Sequence, residues 1–268
     1  MITKEHNLKK NTAINYEVIL SKFCSQIGDR DLESITPEEI LSFLTTINQN
    51  LKHSTKRLRY ILLKAFFNFA KNTLSLDIKN PCDAPTLKKI FRNRQQVQWT
   101  ILDKDIVDEI IFKSTNLRNR IILELMARGG LRIGEVLKIR PKDVDERRIT
   151  LVDPKSGNAS EVAYIPQKVA VRLQEYIRTK NIESNVRIFP ITYTGARAVI
   201  KRAAAAVGVS ISPHDLRRHA ATYASRSGAP IEIVSKVILR HSNLSTTQRY
   251  LGKVSDAEAV RWIENLYG

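Results

Sequence analysis

The fourteen residues ILRHSNLSTTQRYL, positions 238–251, set His241 and Tyr250 nine residues apart, each preceded by an arginine, Arg240 and Arg249. The residues between them are mostly polar. Tyrosine is most often a packing residue with a polar tip, so the stretch decides nothing alone. Its meaning comes from what lies upstream. HDLRRHAAT, 214–222, places Arg217 three residues after His214. On a helix that spacing puts imidazole and guanidinium on one face. Farther back, GGLRIGEVL, 129–137, places Arg132 just past two glycines, which let backbone come close, and Glu135 one turn later, where it can orient the arginine. In between, RRITLVDPKSGNASEVAYIP, 147–166, holds two short β-branched runs, ITLV and EVAYI, around the turn signal PKSGN. That pattern predicts a hairpin with Lys155 at its tip. Singly, each residue has an ordinary structural explanation, and His219 is expected simply to pack and hydrogen-bond. In order, they outline a site for phosphodiester chemistry, because arginine's planar, permanently charged fork suits two non-bridging phosphate oxygens.

The totals agree. The chain has 268 residues, enough for one large or two small domains and a real core. Its 44 Lys and Arg against 27 Asp and Glu give a net charge of +17, the footprint of a polyanion binder, most often nucleic acid. The two cysteines, Cys24 and Cys82, sit in no Cys/His cluster, so no metal site is expected. The first ten residues, MITKEHNLKK, lack the apolar core of a secretion signal, and no apolar run approaches membrane-span length; a cytoplasmic, nucleoid-associated protein is expected.

Two blocks are legible. The first carries three helical patterns. NTAINYEVILSKFCSQI spaces Ile14, Val18, Phe23 and Ile27 along one stripe. SITPEEILSFLTTI opens on Thr36 as N-cap with Pro37 behind it. HSTKRLRYILLKAFFNFAKNTL sets Leu58, Ile61, Leu62, Ala65, Phe66 and Phe69 against a side bearing Lys56, Arg57, Arg59, Lys64 and Lys71. A basic connector follows, with Lys88, Lys89, Arg92 and Arg94 and only Asp83 nearby on the acidic side; a linker so charged can lie along a phosphate backbone. The second block holds helical patterns near 103–115, 119–129, 166–180, 194–208, 214–228, 230–239 and 255–267, around the hairpin. The expected class is mainly α with a small β-sheet or hairpin insert. Three segments are expected: 1–85, a basic linker over 86–99, and 100–268.

GLRIGEVL, HDLRRHAAT and LRHSNLSTTQRYL resemble the three signature segments of the tyrosine recombinases, or phage-type integrases, including the Xer recombinases. The resemblance covers nearly the whole chain, with Asn80-Pro81 standing where the family's core-binding domain ends. It implies a helical core-binding (SAM-like) DNA-binding domain over 1–85 and a catalytic domain over 100–268. Two departures are visible. The hairpin turn reads DPKSGN where typical members read more like GKGNK, and Arg240 stands where the family usually has Gly. The resemblance implies that Tyr250 attacks a scissile phosphate in DNA, forming a 3′-phosphotyrosyl bond and freeing a 5′-hydroxyl. It implies Arg132 and Arg217 on the non-bridging oxygens, Lys155 as general acid, His214 as hydrogen-bond partner of the phosphate or helper in Tyr deprotonation, His241 as donor to a non-bridging oxygen, and Glu135 as their orienting support. No cofactor or metal is implied.

The expected partner is double-stranded DNA at a specific recombination site, gripped in part by Lys56, Arg57, Arg59, Lys64, Lys88, Lys89, Arg92, Arg94 and Arg240. Strand exchange between two duplexes implies a homotetramer on DNA, with monomer or dimer left open for the free protein and no membrane partner. The C-terminal helix offers Val260, Trp262, Ile263 and Leu266 either to a neighbouring protomer or to its own domain. Two other readings share parts of the pattern: a type IB topoisomerase-like enzyme that only relaxes supercoils, and a catalytically idle DNA-binding protein on the same fold.

Overall fold

Thr36 shows at the smallest scale how this sequence starts an element. Its hydroxyl accepts the Glu39 amide proton at 3.3 Å, and Glu39 Oε2 accepts the Thr36 amide proton at 3.0 Å. Two otherwise orphaned donors are thereby satisfied, with Pro37 pre-setting the first helical φ. In the computed structural model this box opens α2 (Pro37–Ile47), between α1 (Lys10–Ile27) and α3 (His53–Thr73). The structure describes residues 10–73, 79–92, 101–152, 160–251 and 256–267, the side chains of Lys10, Arg249, Tyr250, Asp256, Ala257, Glu258, Arg261, Leu266 and Tyr267 excepted. The chain divides into two compact units, Met1–Val97 and Gln98–Gly268.

The core of the first unit is aromatic. Phe23 of α1 meets Phe43 of α2 edge-on at 5.1 Å and Phe67 of α3 at 5.8 Å. Two of the expected stripes are rotated. On α1, Ile14 and Val18 are exposed while Ile19 and Phe23 are buried. The step of five between Val18 and Phe23 breaks the 3.6 period, and the true stripe runs through Tyr16, Ile19, Leu20, Phe23 and Ile27. On α3, Leu58 and Ile61 are exposed, and the packed line is Tyr60, Leu63, Phe67 and Ala70. That helix is apolar on more than one side, so periodicity alone admits two faces. The stretch expected to be linker begins as α4 (Pro85–Ile90). Leu87 and Phe91, one turn apart, are buried, and Phe91 stacks on Tyr60 at 5.0 Å.

The second unit is built on α6 (Leu117–Ala127), whose residues Ile121 to Ala127 are all buried. Around it lie α5 (Lys104–Phe112), α7 (Ile133–Val136), α8 (Gln167–Thr179), α9 (Tyr193–Ala205) and α10 (Pro213–Arg226). A three-stranded antiparallel sheet runs β1 (Val144–Asp145), β2 (Arg148–Val152), β3 (Ser160–Tyr164). In the β2–β3 register Ile149 faces Ala163 and Leu151 faces Glu161. The expected hairpin is present, and its turn, with Lys155, lies outside the described residues. The chain then passes through a π-helical turn (Ile233–Ile238) to α11 (Leu244–Leu251) and α12 (Asp256–Tyr267). The architecture is mainly helical with a small sheet, as expected.

One buried ion cluster braces this unit. Glu124 of α6, fully buried, accepts from Arg172 of α8 at 2.7 and 3.0 Å and from Arg128 at 3.4 Å. Arg128 reaches on to Asp108 of α5 at 3.1 Å. Three helices are tied through one carboxylate.

Candidate active site

The site is assembled from three loops that meet at the Gly130 carbonyl. Gly130 has φ +63, and a Cβ there would stand 2.8 Å from both the Ile238 oxygen and Ile238 Cγ2. Only glycine meets both demands, so the turn before α7 can press against the end of the π-helical turn. Beyond it, α7 starts on Arg132. Glu135 accepts the Arg132 backbone N–H at 2.8 Å and Arg132 Nη1 at 2.6 Å. The arginine is thus held at the mouth of the short helix, four-fifths buried at its side chain.

Arg217 comes from α10, which starts at Pro213 behind a box in which Asp215 accepts both the Ser212 amide and hydroxyl protons at 2.7 Å. Arg217 is buried, 1% exposed, and donates to the Gly130 and Leu239 carbonyls. His214 stands exposed on the first turn of the same helix. His219, as expected, is packed: its Nδ1 contacts the Leu102 carbonyl oxygen at 2.9 Å, its ring stacks on Tyr223, and burial pulls its pKa down.

His241 follows the π-helical turn, and across the left-handed Arg240 its N–H donates to the Ser235 carbonyl six residues back at 2.9 Å, closing the helix end. Turns of π type cluster at functional sites. His241 Nδ1 lies 3.0 Å from the Thr247 hydroxyl, which lies 2.8 Å from the Ser235 hydroxyl. Ser235 and Thr247 are both buried. Desolvation, with Arg217, Arg132 and Arg240 nearby, pushes the His241 pKa down to about 4, so the ring is neutral near pH 7. Tyr250 lies on α11 three residues after Thr247, just under one turn.

Arg240 departs from its expected place among the DNA-contacting cations. The sequence admits Arg240 either as a DNA contact or as a residue that alters how the Tyr250 segment sits; it is buried, and its guanidinium is engaged within the protein. Nη2 donates to Glu135 at 2.8 Å and to the Gly130 carbonyl at 3.2 Å, and Nη1 to the Ile238 carbonyl at 2.9 Å. Its φ is +49, the left-handed conformation that glycine adopts most easily. Burial alone pushes the Glu135 carboxyl up. Arg240, the Arg132 amide and the Arg132 guanidinium outweigh it, and the net direction is down.

The remaining expected DNA contacts differ in setting. Lys89 and Arg92 are exposed, and Lys56 and Arg57 are partly exposed on α3. Lys64 and Lys88 both pair with Asp83, at 2.7 and 2.9 Å. Arg59 donates to the Ile47 carbonyl, closing the end of α2. Arg94 lies outside the described residues. Sequence reasoning missed Ser235, Thr247 and Glu161. Thr247 carried a faint signal, a buried polar residue within a helical repeat; Ser235 carried none, because its role depends on π-helical register. Among the described residues no group of three or more His, Cys, Asp or Glu is arranged to hold a metal ion, and no helix is long and apolar enough to cross a membrane.

This geometry can be set beside known proteins. Residues 1–73 match the N-terminal SAM-like domain of phage integrases. The tyrosine recombinase XerA of Pyrococcus horikoshii is 28% identical over 258 residues, 90% of this chain and 82% of that protein. The tyrosine recombinase XerD of Corynebacterium glutamicum is 24% identical over 282 residues, 96% of this chain and 92% of that protein. Among solved structures, the Tn1549 transposon integrase in complex with transposon right end DNA superposes with a TM-score of 0.78, at 17% identity, over 100% of this chain and 97% of that one. A lambda integrase tetramer bound to a Holliday junction gives a TM-score of 0.72, at 19% identity, over 95% of this chain and 76% of that one. At such identities the structures speak for the fold. Over residues 100–255, more than half of its length, the chain matches the phage integrase family and belongs to it.

Proposed function

We propose that this protein is a site-specific DNA recombinase that cuts and rejoins strands through a covalent bond to Tyr250. The observation that carries the reading is the gathering of three arginines beside His241: Arg217 and Arg240 share the Gly130 carbonyl, Arg132 shares Glu135 with Arg240, and all three act on the His241 ring, with Tyr250 on the helix whose Thr247 contacts that ring. Tyrosine has a pKa near 10, so its hydroxyl must lose a proton as it attacks phosphorus. The attack forms the phosphotyrosyl bond and breaks the bond to the 5′-oxygen. Arg132 and Arg217 hold the non-bridging oxygens as charge builds on them. Lys155 delivers the proton that the departing 5′-oxygen takes up. His214, exposed at the start of α10, reaches the phosphate or the tyrosine proton. Because the ester is conserved in the protein–DNA link, a 5′-hydroxyl from a second duplex can reverse the step, and no nucleotide cofactor is needed.

His241 serves as a donor only with hydrogen on Nε2. Its Nδ1 faces the Thr247 hydroxyl at 3.0 Å, and that hydroxyl donates in turn to the Ser235 hydroxyl at 2.8 Å. The pairing of two duplexes calls for four copies on DNA. The exposed Val260 and Ile263 of α12 suit contact between protomers, while Trp262 approaches Gly228 of its own unit.

The test is incubation with nicked duplexes carrying candidate sites, followed by denaturing electrophoresis. An adduct with the wild type and none with Tyr250→Phe is the expected result. DNA binding with no adduct on any substrate would leave an idle binder on this fold.

A further inference from the structure

We propose that Arg240 is a positioning residue of the cleavage site: one buried guanidinium that fixes Glu135 against Arg132 and shares the Gly130 carbonyl with Arg217. Three observations lead there. First, Glu135 divides its carboxylate: Oε1 takes Arg132 Nη1 at 2.6 Å, and Oε2 takes the Arg132 amide and Arg240 Nη2, both at 2.8 Å. Arg240 therefore sets the carboxylate that sets Arg132. Second, the Gly130 carbonyl accepts from both Arg217 and Arg240. A carbonyl oxygen has two lone pairs, and filling the second leaves Arg217 one position on the first. Third, Arg240 adopts the left-handed backbone conformation at φ +49, which costs a non-glycine residue free energy. Such strain persists only where the surroundings over-determine it. Here they do: the side chain is 3% exposed, bonded to Glu135 and to the Gly130 and Ile238 carbonyls, and its Nε stands 3.5 Å from Glu161 on β3.

Arg240 thus joins the Gly130 turn, α7 and the end of the π-helical turn, and reaches the hairpin strand. It touches no substrate position directly; it works through Arg132 and Arg217. A surface DNA contact would show itself in affinity. A positioning residue shows itself in the rate of the bond-breaking step once DNA is bound.

The inference rests on the recombinase reading and needs a wild type that forms the tyrosyl adduct. Arg240→Gly suits the backbone conformation and removes only the side chain. The expected result is DNA affinity within about threefold of wild type and adduct formation about 10- to 100-fold slower. The loss should be non-additive with Glu135→Gln: the double variant should be no slower than the worse single one. An unchanged rate, a loss confined to affinity, or multiplied losses in the double variant would each overturn the proposal while leaving the recombinase reading intact. If Arg240→Gly does not fold by circular dichroism, Arg240→Lys takes its place in the same cycle. It keeps the charge but lacks the fork that spans Glu135 and the carbonyl, so a wild-type rate from it would equally count against the role. No adduct from the wild type on any DNA would remove the recombinase reading itself, and this inference with it.

Discussion

Two buried carboxylates of the second unit, Glu124 and Glu135, are each held by arginines, and they differ in where those arginines end. Arg120, Arg128 and Arg172 around Glu124 keep 26–33% of their side chains exposed. Their charge is solvated at the far end, and the cluster acts as a brace between helices. Of the two guanidinium groups on Glu135, Arg240 is only 3% exposed, and Arg132 is 21% exposed. The Glu135 cluster holds positive charge away from water. Positive charge with little solvent of its own gains most from an anion that arrives. One pairing secures the scaffold; the other is the setting that the proposed cleavage of a phosphodiester calls for.

Five substitutions, one of them read by pH titration, can break or sharpen that contrast. The largest effect is expected from Arg217→Ala: a loss of about 10²–10³ in the rate of adduct formation. Denaturant unfolding should show a cost of about 1–3 kcal/mol, because the Leu239 carbonyl loses its side-chain donor and the Gly130 carbonyl one of two. Next comes Glu124→Ala, which should lower stability by about 2–4 kcal/mol in the same melts while the rate per folded molecule stays as it was. A slowed rate there would erase the distinction between brace and site. Glu135→Gln should differ in the rate, slowing adduct formation per folded molecule about tenfold, alongside a stability cost of about 3 kcal/mol because the buried Arg240 loses its carboxylate partner.

The fourth is a pH effect. His241 has a folded pKa of about 4, below its unfolded value near 6.5. Between those values the unfolded chain binds more protons, so stability falls as pH drops from about 6.5 to about 4. His241→Gln should flatten that decline in melts taken across the window, with His219, also shifted down, leaving a residual slope of the same sign. The smallest effect is expected from Thr247→Val, which removes the hydroxyl that faces the imidazole. A slowing of a few-fold with unchanged DNA affinity is the expected reading.

The site was more legible than the core in this sequence. Arg132, Arg217 and His241 sit in short segments whose spacing is dictated by chemistry, and the chain brings them together. Phosphodiester transfer leaves little freedom in residue type. The stripes of α1 and α3 were less legible because those helices carry apolar residues on several sides, and packing alone selects Ile19 over Val18 and Leu63 over Ile61. The role of Arg240 was not decided by the sequence. A basic residue in a basic chain reads as a surface contact, and only the positive φ and the inward path of the side chain reveal otherwise. Ser235 was equally hidden, since nothing in periodicity announces a π-helical turn.

The Gly130 carbonyl has a further consequence for how the protein comes into being. Its two donors stand 87 and 110 residues further along the chain. During synthesis the glycine emerges first and waits for both. Contacts of such separation form late, after local helices have settled. A chain that has grown only as far as residue 238 holds Arg132 and Arg217 but lacks Arg240, the second donor to the Gly130 carbonyl. The gathering of Arg132, Arg217 and Arg240 therefore waits for the segment around Arg240 to close on the Gly130 turn.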